Sequence, residues 1–222
     1  MCVERKIELT ADGSHTLFVP ALDEHYHSVN GAVQESTHIF INAGLHGLNK
    51  DQINILEIGF GSGLNAYLTL LDALQTGRNI HYTTLEAYPL ADDLIEQLNY
   101  PQFINQGKAH LYYKMHEVDW NKEIEITPYF TIHKVEADFT TYDFSDTDGI
   151  DLIYFDAFAP EKQPDMWKQE LFDKLYDTMN KGGIVVTYCA KGVVRRMLQQ
   201  SGFVVERLPG PPGKREMLRG RK

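Results

Sequence analysis

The sequence predicts an α/β fold with a mostly parallel sheet, and three features of the chain indicate this class. Residues Ile53–Asn65 (INILEIGFGSGLN) read as a buried strand, a glycine-rich turn and the start of a helix. Residues Ile150–Phe155 (IDLIYF) are almost wholly apolar, as expected of a strand that is buried on both faces of a parallel sheet. Between residues 53 and 99 the pattern alternates strand, helix, strand, helix.

The glycine-rich turn contains Gly59, Gly61 and Gly63 in a G-x-G-x-G array. Glycine permits the tight turn and lets a ligand approach the main chain, because no Cβ is in the way. A turn that binds a dinucleotide carries a small residue at position 64, where this chain has Leu64. The turn therefore predicts a nucleotide-binding sheet, but it lacks the dinucleotide pattern.

Two acidic residues accompany this turn. Glu57 precedes the array, and Glu86, 29 positions further on, ends the next predicted strand, Ile80–Glu86. The Glu57 carboxylate would repel a pyrophosphate but suits a ligand with an ammonium or sulfonium group, and the Glu86 carboxylate can accept hydrogen bonds from ribose hydroxyls. The pattern E-x-G-x-G-x-G with a second acid resembles the S-adenosylmethionine site of Rossmann-like methyltransferases. The alternative is a glycine turn in some other α/β protein.

The resemblance implies a class I S-adenosylmethionine-dependent methyltransferase fold, with a mostly parallel seven-stranded sheet and a small N-terminal cap. We expect a hairpin and cap segment in residues 1–50 and a methyltransferase domain in residues 51–222, with an insertion at about residues 100–127. The other predicted elements are a hairpin of Lys6–Thr10 and Thr16–Val19, strands at Tyr129–Glu136, Ile184–Tyr188, Phe203–Leu208 and Glu216–Leu218, and helices at Ala32–Ala43, from near Leu90, at Met166–Met179 and at Val193–Gln200.

The composition fits a globular cytoplasmic protein. The 222 residues are 43% hydrophobic, which suits one α/β domain with a sizeable core, and no apolar run reaches the roughly 18–20 residues of a membrane span. No secretory signal is recognised. Cys2 and Cys189 are expected to be free thiols in a reducing compartment. His25, His27 and His38 have no spacing typical of a metal site, so no metal is expected.

Charge is distributed unevenly along the chain. The net charge is −10, which argues against a general nucleic-acid binder. Residues 181–222, however, contain ten Lys and Arg residues and two acids, a net charge of +8, which leaves −18 for the rest of the chain. This basic segment either meets a phosphate backbone locally or is simply a solvated surface.

Two further segments carry a specific family resemblance. The motifs DAFAPEKQPDMW and TYCAKGVVRRMLQQSGFVVERLPGPPGKREMLRG, and the N-terminal run TADGSHTLFVPALDEHYHSVNGAVQESTHIFI, resemble the MnmC/MnmD-like methyltransferases over essentially the whole chain. That resemblance implies N-methylation of 5-aminomethyl-(2-thio)uridine at the tRNA wobble position by S-adenosylmethionine. Some members carry a fused FAD-dependent oxidase, and we expect that activity to be absent here. The resemblance also implies that a separate enzyme supplies the aminomethyl substrate.

The expected cofactor residues follow the strand ends of such a sheet. Asp138 follows the third strand, where an acid in methyltransferases commonly hydrogen-bonds the adenine amino group, with an ordinary loop aspartate as the alternative. The polar segment with His25, Tyr26, His27 and Glu35 is expected to close over one side of the site, with individual roles left open. The residues expected to bind the cofactor are Ser36, Glu57, Gly59, Phe60, Gly61, Gly63, Asn65, Glu86, Asp138, Phe139 and Asp156.

Asp156 is the candidate catalytic residue. It follows the central strand next to the glycine turn, at the edge of the sheet where ligands bind. Methyl transfer to an amine requires an amine that is neutral, and an alkylammonium is mostly protonated at pH 7. We expect Asp156 to accept a hydrogen bond from the amine and orient it, and it is also a candidate to take the proton. The alternative is that Asp156 only caps the loop or contacts the amino-acid part of the cofactor.

The substrate is expected to meet an apolar wall and a basic surface. Phe158 and Pro160 are candidates for the wall, and Phe158 is placed to stack on an unstacked wobble base. The remaining substrate candidates are Tyr188, Lys191, Arg195, Arg196, Lys214, Arg215 and Arg219, of which the basic ones are candidates for phosphates of the anticodon stem-loop. Solvation of a helix face is the alternative for Arg195 and Arg196, and an ion pair with Glu216 is the alternative for Arg215.

Three other functions stay open from the sequence. An aminopropyltransferase of the spermidine-synthase type shares the acid-preceded glycine array but needs an acid-rich polyamine pocket, whereas DAFAP offers one acid. A small-molecule N-methyltransferase would have no phosphate backbone to bind, so the basic charge of residues 181–222 would have no function in it. A non-catalytic S-adenosylmethionine-binding module that presents tRNA to a partner is the third, and the intact Asp156 and glycine array argue against it.

Overall fold

The computed structural model describes residues 4–222, and in these residues the chain forms a small three-stranded sheet and a large eight-stranded sheet. The small sheet contains β1 (Lys6–Leu9), β2 (His15–Val19) and β3 (Glu24–His25), which pair antiparallel in the order β1-β2-β3. The predicted N-terminal hairpin is present, and its turn is held by Asp12, whose Oδ1 accepts a hydrogen bond from the Ser14 amide at 2.9 Å. The third strand was not predicted.

The large sheet has the strand order β10-β11-β9-β8-β4-β5-β7-β6. In chain order its strands are β4 (Gln52–Ile58), β5 (Asn79–Glu86), β6 (Glu123–Thr127), β7 (Phe130–Glu136), β8 (Ile150–Phe155), β9 (Met179–Thr187), β10 (Val204–Pro209) and β11 (Glu216–Arg221). β4, β5, β7, β8 and β9 pair in parallel, whereas β11 runs antiparallel to β9 and β10. The seven predicted strands are all present, and β6 adds an eighth, antiparallel to β7 at the edge.

Helices cover both faces of the large sheet. The α-helices are α1 (Ala32–Ser36), α2 (Leu64–Thr76), α3 (Asp92–Ile95), α4 (Tyr100–Asn105), α5 (Ala109–Glu117), α6 (Gln169–Thr178) and α7 (Gly192–Ser201). Residues Thr37–Gly44 form a π-helix, and Leu45–Gly47, Gln106–Lys108 and Pro164–Trp167 form short 3-10 turns.

Three predicted elements differ from the observed ones. The predicted helix over Ala32–Ala43 is α1 followed by the π-helix. The predicted helix over Met166–Met179 is divided, because Lys168 takes an extended conformation between a 3-10 turn and α6. The insertion at about residues 100–127, expected to be irregular with one or two short helices, contains α4, α5 and the edge strand β6.

β8 lies at the centre of the core because all six of its residues are buried. Successive side chains of a strand point to opposite faces of the sheet. The Tyr154 ring accordingly packs against Phe40 of the π-helix at 5.1 Å between ring centroids, and the Phe155 ring stacks on Phe172 of α6, also at 5.1 Å. Burying a large apolar side chain contributes about 1.5–3 kcal/mol. These contacts on both faces fix the end of β8, where Asp156 begins.

The parallel pairing of β4 with β8 brings two loops together. Ile58 is the register partner of Phe155, so Gly59 and Asp156 leave the sheet side by side. The Asp156 amide donates a hydrogen bond to the Ile58 carbonyl at 3.1 Å, and the Gly59 amide donates to the Leu85 carbonyl at 2.9 Å. The glycine turn, the end of β5 and the end of β8 therefore meet at one edge of the sheet.

Within residues 4–222, no helix combines the length and the apolar character needed to cross a membrane. The same residues contain no group of three or more His, Cys, Asp and Glu side chains arranged to hold a metal ion. Cys189 is a buried free thiol, and Cys2 lies outside the described residues.

Candidate active site

A cavity of about 1080 Å³ opens at the carboxyl edge of the large sheet. Its floor is the glycine turn after β4, and its walls are Glu86, the segment after β7 and the segment after β8. The N-terminal residues 4–50, which we call the cap, cover it with His25, Tyr26, His27 and Glu35. A single cavity is thus bounded by strand ends, where side chains are held rigidly, and by the cap.

The glycine turn exposes main chain to the cavity. Gly59 and Gly61 adopt positive φ angles of +95° and +50°, which favour glycine. A Cβ at Gly59 would lie 2.8 Å from the Asp156 carbonyl oxygen, and one at Gly61 would lie 3.1 Å from the Tyr26 ring. The turn therefore passes between two other segments with no room for side chains.

Glu86 holds the glycine turn in place. One carboxylate oxygen, Oε2, accepts a hydrogen bond from the Gly61 amide at 2.9 Å, and Oε1 accepts one from the Tyr88 amide at 2.8 Å. Each carboxylate oxygen has a second lone pair, and Glu86 lines the cavity. The geometry leaves Glu86 able to accept hydrogen bonds from ligand hydroxyls.

Asn65, the second residue of α2, joins two carboxylates. Its Nδ2 donates to Glu57 Oε1 at 3.1 Å and to Asp156 Oδ2 at 2.8 Å, and Thr84 Oγ1 donates to Glu57 Oε2 at 2.8 Å. Burial raises the pKa of the Glu57 carboxyl to about 8, and the neighbouring charge of Asp156 acts in the same direction. Glu57 is fully buried behind Asn65, so it orients that amide instead of facing the cavity.

Asp156 faces the cavity and is half-buried. Burial raises the pKa of its carboxyl to about 7, the Asn65 hydrogen bond lowers it, the Glu35 charge raises it and the Lys214 charge lowers it. A group with a pKa near 7 exchanges protons readily at physiological pH, as a general base must. A carboxyl with this pKa at the cavity is chemically able to take up a proton.

Aromatic side chains form the wall beside Asp156. The Phe158 ring meets the Tyr26 ring edge to face at 5.2 Å between centroids, and Trp167 Nε1 donates to the Phe158 carbonyl at 2.8 Å. The Tyr188 hydroxyl donates to the Ala157 carbonyl at 2.8 Å. These contacts fix the loop after β8, and the Phe158 and Tyr26 rings both line the cavity.

Comparison with known proteins identifies the chain. A family model described as S-adenosyl-L-methionine-dependent methyltransferase matches residues 107–222, slightly more than half of the sequence. The chain belongs to this family. The resemblance to the methyltransferase part of the MnmC-like proteins, drawn from the DAFAP and KREML motifs, is thereby confirmed.

Curated relatives of this methyltransferase carry the description "tRNA 5-methylaminomethyl-2-thiouridine biosynthesis bifunctional protein MnmC". The protein of Pseudoalteromonas atlantica is 31% identical over 237 residues, which cover 96% of this chain and 33% of that protein. The protein of a Marinomonas species is 28% identical over 215 residues, which cover 89% of this chain and 31% of that protein. The methyltransferase thus spans about a third of the length of these relatives.

Solved structures support the fold. MNMC2 from Aquifex aeolicus superposes with a TM-score of 0.81 at 22% identity, over 98% of this chain and 70% of that one. Spermidine synthase from Thermotoga maritima superposes with a TM-score of 0.54 at 13% identity, over 98% of this chain and 69% of that one. The class I methyltransferase fold predicted from the sequence is confirmed, with the additional edge strand β6.

The residues around the cavity fit S-adenosylmethionine, the cofactor of this family. The turn at Gly59 and Gly61 is a cradle that a Cβ would fill, and Glu86 is oriented by main-chain amides toward the same space. Asp138, after β7, lines the cavity, and its Oδ1 accepts hydrogen bonds from Thr140. A cavity of about 1080 Å³ is large enough for a nucleoside and an acceptor group together.

Most predicted cofactor residues line the cavity. These are Gly59, Phe60, Gly61, Asn65, Glu86, Asp138, Phe139 and Asp156. Glu57, Gly63 and Ser36 do not. Glu57 was expected to face a cationic ligand, but the structure buries it behind Asn65. Gly63 caps α2, and Ser36 is fully buried at the end of α1, away from the cavity lining.

The predicted substrate residues divide into two groups. Phe158, Tyr188 and Lys214 line the cavity, whereas Pro160, expected in the apolar wall, does not. Outside the cavity, Lys191 pairs with Glu161. Of the other basic candidates, Arg219 Nε donates to Glu206 at 2.7 Å, Arg195 is half-buried, and Arg196 and Arg215 are exposed.

The sequence predicted that the cap closes over the cavity, but it did not identify the residues that the cap side chains contact. His27 Nε2 lies 3.0 Å from Ser62 Oγ of the glycine turn, and burial lowers the pKa of His27 to about 4. Arg5 Nε donates to the Tyr26 hydroxyl at 2.9 Å. The density of hydrogen-bonding side chains in residues 24–38 indicated a cap, but the partners of His27 and Tyr26 lie 35 and 21 positions away and left no local pattern.

Proposed function

We propose that this methyltransferase methylates the amine of 5-aminomethyl-(2-thio)uridine at the wobble position of tRNA, giving 5-methylaminomethyl-(2-thio)uridine. The observation that carries the proposal is Asp156, a half-buried carboxyl beside an aromatic wall at the end of the central strand. The description of the MnmC relatives names 5-methylaminomethyl-2-thiouridine, the product proposed here. We further propose that the protein acts in the cytoplasm on substrate supplied by a separate enzyme.

The chain has to bring a neutral amine and an activated methyl group together. S-adenosylmethionine supplies the methyl group on a sulfonium, whose sulfur keeps the bonding electrons when the methyl leaves. A free alkylammonium has a pKa near that of Lys, about 10.4, so Asp156 needs help from desolvation of the amine. As the new nitrogen–carbon bond forms, one proton leaves the amine, and Asp156 accepts it directly or through water.

The surroundings of Asp156 suit a nucleobase that has left its stacked position in the RNA. Phe158 and Tyr26 offer aromatic surface within the cavity, and aromatic side chains commonly hold unstacked RNA bases. A wobble base lies in a loop, so the cost of extruding it is small. Arg196 and Arg215 are exposed cations that we assign to phosphates of the anticodon stem-loop, and we assign residues 1–50 to the closing cap.

The test is the nucleoside profile of tRNA. Purified protein is incubated with methyl-labelled S-adenosylmethionine and tRNA from a strain that lacks the activity, and the tRNA is digested and analysed. We expect 5-aminomethyl nucleoside to disappear and 5-methylaminomethyl nucleoside to appear in equal amount. A profile without change would contradict the proposal.

A parallel incubation addresses the aminopropyltransferase alternative. Glu24 and Glu35 of the cap line the cavity together with Asp156, so the cavity contains more acid than the DAFAP motif alone offers. Diamines and polyamines are therefore tested with decarboxylated S-adenosylmethionine. Aminopropyl transfer without tRNA methylation would favour a polyamine substrate over the proposed one.

A further inference from the structure

At the cavity, an ion pair joins the N-terminal cap to the loop between β10 and β11. Lys214, in the loop between β10 and β11, donates from Nζ to Glu35 Oε1 at 2.5 Å. The Glu35 side chain is 7% exposed and that of Lys214 is 31% exposed. The other Glu35 oxygen, Oε2, accepts a hydrogen bond from the Ser28 amide at 2.7 Å. Both residues line the cavity, so this ion pair differs from one between two solvent-exposed side chains.

Lys214 is also linked through Tyr188 to the loop that carries Asp156. Its Nζ lies 4.1 Å from the centroid of the Tyr188 ring, and the Tyr188 hydroxyl donates to the carbonyl of Ala157, the residue after Asp156. A cation over an aromatic ring is attracted to its face. The ammonium is therefore held on two sides, by a carboxylate from the cap and by an aromatic ring from the end of β9.

The charges of this pair act on Asp156. The Glu35 carboxylate raises the pKa of Asp156 and the Lys214 ammonium lowers it, after the larger effect of burial. In a cavity of low dielectric, removing one member would leave an uncompensated charge on the other. The titratable groups that interact with the pair or with Asp156, or that lie beside Tyr188, are Glu24, His27, Glu57, Tyr82, Tyr188 and Cys189.

We infer that Glu35 and Lys214 are positioning residues for methyl transfer, whose opposite charges together set the ionisation of Asp156, and that Glu35 holds the Lys214 ammonium in the cavity. The inference rests on the proposed amine acceptor. Lys214 was expected to contact phosphate, but its pairing with Glu35 directs its charge into the cavity. The Lys214 cation disfavours protonation of both Asp156 and a neighbouring amine, and Glu35 keeps that cation in place.

The experiment measures the pH dependence of kcat/KM for methylation of tRNA that carries 5-aminomethyl-2-thiouridine. The variants are Lys214→Met, Lys214→Arg and Glu35→Gln. Lys122→Met is the matched control, because Lys122 donates to Asp119 at 2.7 Å in an exposed pair that does not line the cavity. Binding of S-adenosylmethionine to each variant is measured by calorimetry.

The two halves of the pair should move the profile in opposite directions. Without the Lys214 cation, the acidic limb of the kcat/KM profile should move to higher pH by about one unit. At pH values below that limb, kcat/KM should therefore fall roughly tenfold, and it should recover at pH 9. Without the Glu35 charge, the limb should move to lower pH. Lys214→Arg should keep the original limb because it keeps the charge, and Lys122→Met should not change the profile. Cofactor affinity should stay within about threefold throughout.

Several results would overturn the inference. The acidic limb of the kcat/KM profile could stay unmoved in both Lys214→Met and Glu35→Gln, or it could move in the same direction in both variants. Either result would show that the pair does not set the charge at Asp156. Loss of cofactor binding in both variants would show that the pair only supports the fold. Absence of methylation by the unaltered protein would contradict the proposed function itself, whereas methylation with unmoved limbs would contradict the ion-pair inference alone.

Discussion

The carbonyl oxygen of Asp156 lies 2.8 Å from the position that a Cβ on Gly59 would occupy. The glycine turn and the end of β8 are therefore packed backbone to backbone, and the Gly59 φ of +95° is one that other residues rarely adopt. Real Cβ atoms do not approach a carbonyl oxygen so closely. The position of the cofactor cradle and that of the candidate base are consequently linked through main chain.

Gly59→Ala should separate these two loops. We expect loss of S-adenosylmethionine binding by at least about tenfold and a fall in the free energy of unfolding of about 2 kcal/mol or more, because the clash adds to the strained φ. The measurements are calorimetric titration and urea unfolding. Gly77→Ala is the control, since Gly77 has a φ of +74° with nothing within 4 Å of its Cβ position. Equal effects of the two substitutions would show that the close approach at Gly59 is unimportant.

Asp156→Asn should keep cofactor binding and lose turnover. Asparagine preserves the size of the side chain but cannot accept a proton, so we expect kcat to fall by about 10²-fold or more. In the unaltered protein, activity should fall as the pH drops through about 7, where the Asp156 carboxyl with its raised pKa becomes protonated. Single-turnover methylation between pH 5.5 and 9 measures both effects. Asp146→Asn, in an exposed loop, is the control, and full activity of Asp156→Asn would refute the role.

Glu57→Gln should stabilise the protein at high pH. The folded state raises the pKa of Glu57 from 4.5 to about 8, so the native protein holds a proton that the unfolded chain releases within that range. Stability contributed by this group is present below pH 4.5 and is lost as the pH rises through about 8.

Glutamine is uncharged at every pH, as the protonated acid is. We expect Tm of Glu57→Gln to exceed that of the unaltered protein by about 3 °C or more at pH 9 and to match it at pH 4.5. Differential scanning calorimetry at both values measures this, with exposed Glu125→Gln as the control. A lower Tm for Glu57→Gln at pH 9 would mean that the buried group is ionised in the native state.

Arg196 and Arg215 should contribute to tRNA binding by charge alone. Both are exposed, and each neutralised phosphate adds roughly one unit to the slope of log affinity against log salt. We expect Arg196→Ala and Arg215→Ala each to reduce that slope by about one and to weaken binding without changing the methylated nucleoside. Filter binding between 50 and 300 mM salt measures the slope, and Lys122→Ala is the control. Affinity that does not depend on salt would argue against this surface.

The main strands could be predicted because burial on both faces leaves a continuous apolar run. β8 is buried at all six positions, and its predicted bounds match the observed ones. β6 was missed because it has a single neighbour and alternates charged and apolar residues as Glu123–Thr127, next to an aromatic-rich segment. The division at Lys168 was missed because it depends on the path of the loop after β8.

The sequence predicted the residues of the candidate site correctly where the end of a strand alone determines that a side chain reaches the cavity. Glu86 ends β5 and Asp156 follows β8, the two strands on either side of β4, and both side chains reach the cavity. Glu57 lies one residue before the end of β4, and which face of the sheet it occupies depends on α2 and Asn65 packing beside it. Lys214 was expected to contact phosphate because it belongs to the basic segment, whereas a carboxylate from the cap pairs with it at the cavity.

The partners Glu35 and Lys214 are 179 positions apart in the chain. During synthesis, the cap and the glycine turn leave the ribosome long before the loop that carries Lys214. The wall of the cavity can close only after nearly the whole segment has emerged, so a nascent chain lacks a finished acceptor pocket. We expect the cavity wall to be complete only after translation has passed β10 and β11.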